Sequence, residues 1–170
     1  MAVYNKSYLN VVDTLRQVGE NHHQIKTTTY GDIWDIDLSK ETKFPLFHIN
    51  PVSVETGESQ LTMNFQLFVM QVVYDTTQHE EVLSECLSIC TDIIGVFRHS
   101  AQQGVSASGA MGLVGDISNP IYFTDGEFTL EPFNERFDNE LTGWVFNLGV
   151  LVPNTFQTCE IPMSTDYIGK

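Results

Sequence analysis

The residues of this sequence that are best suited to chemistry are histidines and carboxylates, and they do not form known catalytic motifs. The five histidines have no ligand-type partner at the spacing of H-x-x-E-H or C-x-x-C. They are His22, His23, His48, His79 and His99. A phosphate-binding glycine loop that ends in Lys-Ser or Lys-Thr is missing, and so is a G-x-S-x-G nucleophile elbow. The sequence therefore predicts no metal, no cofactor and no catalytic residue.

Asp35 and Asp37 form a carboxylate pair whose spacing could serve catalysis. The alternation of apolar and acidic residues over 32–38 predicts a strand, on which the two carboxylates would share a face, as in some hydrolases and Mg²⁺ sites. The neighbouring segment supplies no Lys, His or second acidic pair at a strong motif spacing. A small acidic hydrolase stays as an alternative hypothesis.

Composition and charge restrict the class of protein. The chain has 170 residues, 42% of them hydrophobic, which is enough for one domain with its own core. Its 8 basic and 22 acidic residues give a formal net charge of −14, so it is not expected to bind nucleic acid through the phosphates. The acidic excess serves solubility or repels a polyanion at close range, within roughly 8–10 Å.

The sequence also bears on the compartment. It has no run of about 18 apolar residues and no secretory signal pattern at its N-terminus, so we expect a soluble protein used without export or membrane contact. Cys86 and Cys90 are four residues apart on the apolar face of a predicted helix, which favours buried free thiols over a disulfide. Cys159 has no partner nearby in sequence. A reducing compartment is the natural inference.

The order of predicted elements indicates an α+β fold, with a mostly antiparallel β-sheet and two helices on one face. The first helix covers residues 5–18, with Asn5 as its cap and Gly19 as its stop. In the second helix, Thr77 and Glu80 match a capping box. The strands are predicted at 44–50, 60–74, 120–133 and 141–152 in addition to 32–38. We expect a single domain over 1–170, with a flexible loop at about 100–119 and a polar tail at about 155–170.

The last predicted strand has two different faces. One face is fully apolar and carries Trp144, Phe146, Leu148, Val150 and Val152. The other is mixed and contains two glycines, Gly143 and Gly149, so it could meet either solvent or another chain. Apolar residues of this face and of the glycine- and serine-rich loop are the predicted subunit-interface residues. They are Val105, Met111, Leu113, Val114, Val145 and Leu151.

Four segments together resemble the tail terminator, or tail completion, proteins of tailed bacteriophages. They are FPLFHIN, LTMNFQLFVMQVVY, HEEVLSECLSICTDIIGVFRH and EPFNERFDNELTGWVFNLGVLVP, and the resemblance covers most of residues 1–155 by element order and local character. It implies a structural virion protein without catalytic residues, assembled in the host cytoplasm. Members of the family form a six-membered ring on the head-proximal end of the tail tube. The ring stops polymerisation of the tube, joins the tail to the head and lets DNA pass through its centre.

The resemblance implies three kinds of partner: identical copies, the tail tube, and the head-neck connector, with DNA in transient passage only. Acidic residues on the wall of the opening would keep phosphates from adhering. The candidates for this wall are Glu55, Glu58, Asp125, Glu127 and Glu131. The remaining alternatives are another neck protein, such as a head completion or connector protein, a tail-tube subunit, and a generic adaptor domain of α+β type.

Overall fold

The computed structural model describes residues 8–36, 42–103, 123–124, 127–136 and 140–153. Within them lie two α-helices, two short 3-10 turns and one β-sheet. The helices are α1 (Tyr8–Asn21) and α2 (His79–Gln103). The strands are β1 (Thr27–Tyr30), β2 (Leu46–Thr56), β3 (Gln60–Val73), β4 (Phe123–Thr124), β5 (Leu130–Arg136) and β6 (Glu140–Pro153). The predicted α+β class with a mostly antiparallel sheet is confirmed.

The sheet is five positions wide, in the order β1, β2, β3, β6 and then β4 with β5. β4 and β5 share the last position because they pair with different parts of β6. The central pair, β3 and β6, is antiparallel and paired along its whole length, from Gln60 opposite Pro153 to Val73 opposite Glu140. β1 alone is parallel to its neighbour. β2 and β3 form a hairpin whose far end projects beyond β1.

Both helices pack on the same face of the sheet, as predicted. Alternate residues of a strand point to opposite faces, and the even-numbered residues of β6 from Phe146 to Val152 lie in the main core with the odd-numbered residues of β3. The buried stripe of α1 and that of α2 complete this core, and each follows the three-to-four spacing of an amphipathic helix. The apolar face predicted for the last strand is therefore the core face, with Trp144 half-buried at its end.

Gly19 does not stop the first helix, because α1 continues through it to Asn21. The structure gives this glycine a packing role instead. A Cβ atom at position 19 would lie 2.5 Å from Thr28 Oγ1 and 2.7 Å from Phe47 Cδ1. Only a residue without a side chain lets the end of α1 approach β1 and β2 this closely. The predicted cap, Asn5, lies outside the described residues.

The strand predicted over 32–38 is wrong in its described part, since Ile33–Asp35 form a 3-10 turn. The Asp32 side chain accepts a hydrogen bond from the backbone N–H of Trp34 and caps this turn. Ile33 and Ile36, three residues apart, both pack against a second apolar cluster, whereas Trp34 is 83% exposed. Burial at a spacing of three fits one turn of 3-10 helix and not a strand.

The second helix begins differently from the prediction. A 3-10 turn at Thr76–Gln78 precedes it, and Asp75 caps this turn by accepting a hydrogen bond from the backbone N–H of Thr77. Glu80 and Glu81 lie in the first turn of α2, where carboxylates stabilise the positive end of the helix dipole. The helix ends at Gln103, so the first residues of the loop predicted at 100–119 are helical. The remainder of that loop and the tail at 155–170 lie outside the described residues.

Candidate interaction surfaces

The face of the sheet opposite the helices is divided into an apolar half and a polar half. In the apolar half, Leu46, Phe68, Met70, Val72 and Leu141 form the second cluster. The segment between β1 and β2 covers it with Ile33, Ile36 and Phe44. This half is thus closed by the chain itself.

The polar half, which we call the open face, consists of three cross-strand rows on β2, β3 and β6. The strand registers define them as Asn50–Gln66–Asn147, Ser53–Asn64–Gly149 and Glu55–Thr62–Leu151. All nine residues are half-buried or exposed. Hydrogen bonds connect neighbours within two rows, from Asn50 Nδ2 to Gln66 Oε1 (3.4 Å) and from Asn64 Nδ2 to Ser53 Oγ (3.1 Å). The open face is therefore an amide-rich surface on which Glu55 is the charged residue.

The two glycines of β6 on this side have different surroundings. A Cβ atom at Gly143 would lie 1.9 Å from the Val69 carbonyl oxygen, so β3 and β6 approach each other too closely for any side chain there. At Gly149 the nearest atom to such a Cβ is Asn64 Oδ1, at 3.1 Å, and this belongs to a side chain that can move. Gly143 thus serves the strand pairing, whereas a side chain at Gly149 would fit on the open face after a small movement of Asn64.

The predicted acidic wall residues fall into two groups on the sheet. Glu55, which belongs to the open face, and Glu58, which follows it in the turn, lie at the exposed end of the β2–β3 hairpin. Glu127 and Glu131 are exposed at the opposite edge, just before β5 and within it. Glu131 is opposite Val145, so it points to the same side of the sheet as Glu55. Asp125 lies outside the described residues.

The predicted interface residues are only partly accessible to a partner. Val145 is half-buried against the second cluster, so part of its surface already contacts its own chain. Leu151 is half-buried at the margin of the open face, opposite Thr62. Val105, Met111, Leu113 and Val114 lie outside the described residues. Leu151 is the described candidate best placed to meet another chain.

Three of the histidines take part in structural contacts. The His48 side chain is buried, and its Nε2–H donates a hydrogen bond to the Gly31 carbonyl oxygen (3.0 Å). Its other ring nitrogen, Nδ1, is hydrogen-bonded to Thr29 Oγ1 at 2.7 Å. His79 Nε2 lies 2.9 Å from Asn134 Oδ1, which ties the start of α2 to β5. His22 pairs with Asp92 of α2 at 3.1 Å. Within the described ranges, no three His, Cys, Asp or Glu residues are grouped so that they could hold a metal ion.

Cys86 and Cys90 are free and buried in α2, as predicted. The pKa of the Cys86 thiol is raised from 9.0 to about 12, chiefly by burial and secondly by the nearby Glu85 carboxylate. The pKa of the Cys90 thiol is also raised to about 12, chiefly by burial and secondly by Cys86. Because the thiolate is the nucleophile and metal ligand, these cysteines are inert at neutral pH.

Sequence reasoning missed a cavity of about 560 Å³ at the end of the sheet where β1 begins. Its lining residues are Lys26, Thr42, Lys43, Phe44, Gln71, Val72 and Tyr74, and we call it the lysine pocket. The side-chain oxygen of Gln71, Oε1, is buried from solvent and has no hydrogen-bond partner in the described part of the chain. These residues come from three separate segments, so no local motif could have indicated the pocket.

Comparison of this chain with protein-family models and with curated proteins finds no relative. No family model matches it, and no curated protein resembles it significantly. Neither helix in the described ranges has the length and hydropathy needed to cross a lipid bilayer.

Proposed function

We propose that this protein is a ring-forming component of a phage neck, a tail terminator that caps the tail tube and joins it to the head. The observation that carries the proposal is the asymmetry of the sheet. Both helices cover one face, and the other face has an amide-rich half without a covering element in the described ranges. Such a surface suits contact with water and a passing polyanion more than the binding of a small molecule, which favours enclosed apolar pockets.

The charge of the open face supports a DNA passage. Asn, Gln, Ser and Thr side chains offer no fixed positive charge on which a phosphate could be held. Glu55 and Glu58 add negative charge at its margin. In the proposed ring, this surface and these two carboxylates face the opening, so that DNA slides without binding.

The hydrolase hypothesis was based on an arrangement of carboxylates that the structure does not have at Asp35. It placed Asp35 and Asp37 on one face of a strand, and Asp35 lies in a 3-10 turn instead. Asp37 is outside the described residues.

The direct test is assembly on tail tubes. Purified protein is mixed with tubes isolated from the phage, and electron microscopy and native mass spectrometry determine where it binds and in how many copies. The proposal expects a ring at one end of each tube and an arrest of tube growth. Growth of this protein alone into long tubes would instead identify a tube subunit, and binding only to the head connector would identify another neck protein.

The DNA passage has a separate test with a matched control. Replacing Glu55 and Glu58 by Lys places cations beside the open face, so rings carrying E55K/E58K should retain DNA in a salt-dependent manner. The control replaces Glu81 and Glu85, which are exposed on α2, by Lys and changes the net charge equally. Equal DNA retention by both variants would contradict the proposed orientation of the open face.

A further inference from the structure

The lysine pocket is unusual because it gathers cations on a strongly acidic chain. Lys26 and Lys43 are 2 of 8 basic residues set against 22 acidic ones. Arg16, by comparison, already contacts Asp13 (3.5 Å) and lies 5.1 Å from the centre of the Tyr30 ring. Neither Lys26 nor Lys43 has a carboxylate of the described residues within ion-pair distance, although Lys26 Nζ donates to the His23 carbonyl (3.3 Å). The pocket therefore offers two cations that its own described carboxylates leave unneutralised.

The lining of the pocket also indicates what it would accept. The ammonium groups of Lys26 and Lys43, both exposed, favour a carboxylate. Tyr74 at the rim is 87% exposed and supplies an aromatic surface. A polypeptide segment with acidic side chains offers both features that this lining favours: carboxylates for the ammonium groups and apolar carbon for the aromatic ring.

The opposite edge of the sheet carries such a segment. Glu127 and Glu131 are exposed there, and β5 has no strand partner on its outer side among the described residues. The lysine pocket adjoins β1, which occupies the other end of the strand order. Four strand spacings of about 4.8 Å put β1 and β5 about 19 Å apart, so the two groups cannot meet within one copy.

We propose that the lysine pocket of one copy receives the acidic β5 edge of the next copy, with Glu127 and Glu131 beside Lys26 and Lys43. This contact joins two different surfaces of the chain, so it is the head-to-tail type that closes into a ring. Copies with a net charge of −14 repel each other, and a local pairing of opposite charges overcomes this repulsion and sets the orientation. The inference rests on the proposed ring and names the surfaces that close it.

The first test is zero-length cross-linking with a carbodiimide, which joins an ammonium group to an adjacent carboxylate. Equal amounts of ¹⁴N- and ¹⁵N-labelled full-length chain are mixed, assembled and cross-linked, and mass spectrometry identifies peptides that join the two labels. We expect mixed-label peptides that link Lys26 or Lys43 to Glu127 or Glu131. Mixed-label links confined to other surfaces would overturn the inference.

The second test is a charge swap in the full-length protein. K43E and E131K should each raise the concentration needed for half-maximal assembly at least about tenfold, because each puts like charges in contact. The K43E/E131K double variant has the wild-type net charge and should return to within about threefold of it. The control E85K, on the exposed side of α2, changes the charge as E131K does and should leave assembly nearly unchanged.

The outcomes separate this inference from the proposed function. If the wild-type chain forms rings but the double variant needs as high a concentration for half-maximal assembly as K43E, the proposed contact is wrong. The proposed ring is not contradicted by that result. If the wild-type chain stays monomeric at every concentration and also fails to bind tail tubes, both proposals are wrong.

Discussion

Replacing Gly143 by Ala tests the strand contact on which the centre of the sheet depends. The added Cβ atom would lie 1.9 Å from the Val69 carbonyl oxygen and 2.8 Å from Met70 Cα. Since backbone atoms cannot rotate away, β3 and β6 must separate by about 1 Å to reach an ordinary contact. That shift weakens flanking ladder hydrogen bonds, at about 1 kcal/mol each, and disturbs the packing on both faces. We expect the free energy of unfolding to fall by about 3 to 5 kcal/mol.

Gly149→Ala is the matched control, because it makes the same change on the same strand and the same face. Its Cβ would meet Asn64 Oδ1 at 3.1 Å, which side-chain rotation can relieve. Alanine also loses less backbone entropy than glycine on folding, by roughly 0.5–1 kcal/mol. We therefore expect Gly149→Ala to change the stability by less than about 1 kcal/mol.

Urea denaturation followed by circular dichroism measures both variants against the wild type. The midpoints of the urea transitions are compared for variants whose m-value equals that of the wild type, because a midpoint shift then reports a change in stability alone. A loss below about 1 kcal/mol for Gly143→Ala would refute the close approach of β3 and β6. An equal loss for both variants would refute the distinction between the two glycines.

Three further predictions concern the helices and their packing. Because burial raises the pKa of Cys86 and Cys90, the folded state retains thiol protons that the unfolded chain loses above pH 9. The free energy of unfolding, measured by urea titration, should therefore fall by about 3 kcal/mol between pH 8 and pH 10. The C86A/C90A variant should show a smaller decrease over the same pH range. Gly19→Ala should destabilise the protein by about 1–3 kcal/mol in thermal denaturation, whereas an unchanged midpoint would contradict the tight contact of α1 with the sheet. Trp144→Phe removes the 2.8 Å hydrogen bond from Nε1 to the Leu83 carbonyl and should cost about 1 kcal/mol by urea denaturation; no loss would mean that this bond does not help to hold α2 on β6.

The interior of the fold was predictable where burial follows a local period. The alternation in β6 identified its core face, and the three-to-four spacing in α2 identified the buried side that holds both thiols. These patterns exist because each side chain's direction is set by the backbone geometry of its own segment. The same reasoning failed for residues 33–35, since a few alternating residues also fit a capped turn.

The candidate surfaces depended on contacts between distant segments. Sequence alone determined a highly acidic α+β chain with two amphipathic helices and long apolar strands, because composition and periodicity are properties of the chain itself. Only the tertiary structure placed Lys26, Lys43 and Gln71 around one cavity, and Glu55 and Glu131 on one side of the sheet. The order and register of the strands determine which distant residues lie close together. Both are fixed by packing over the whole domain.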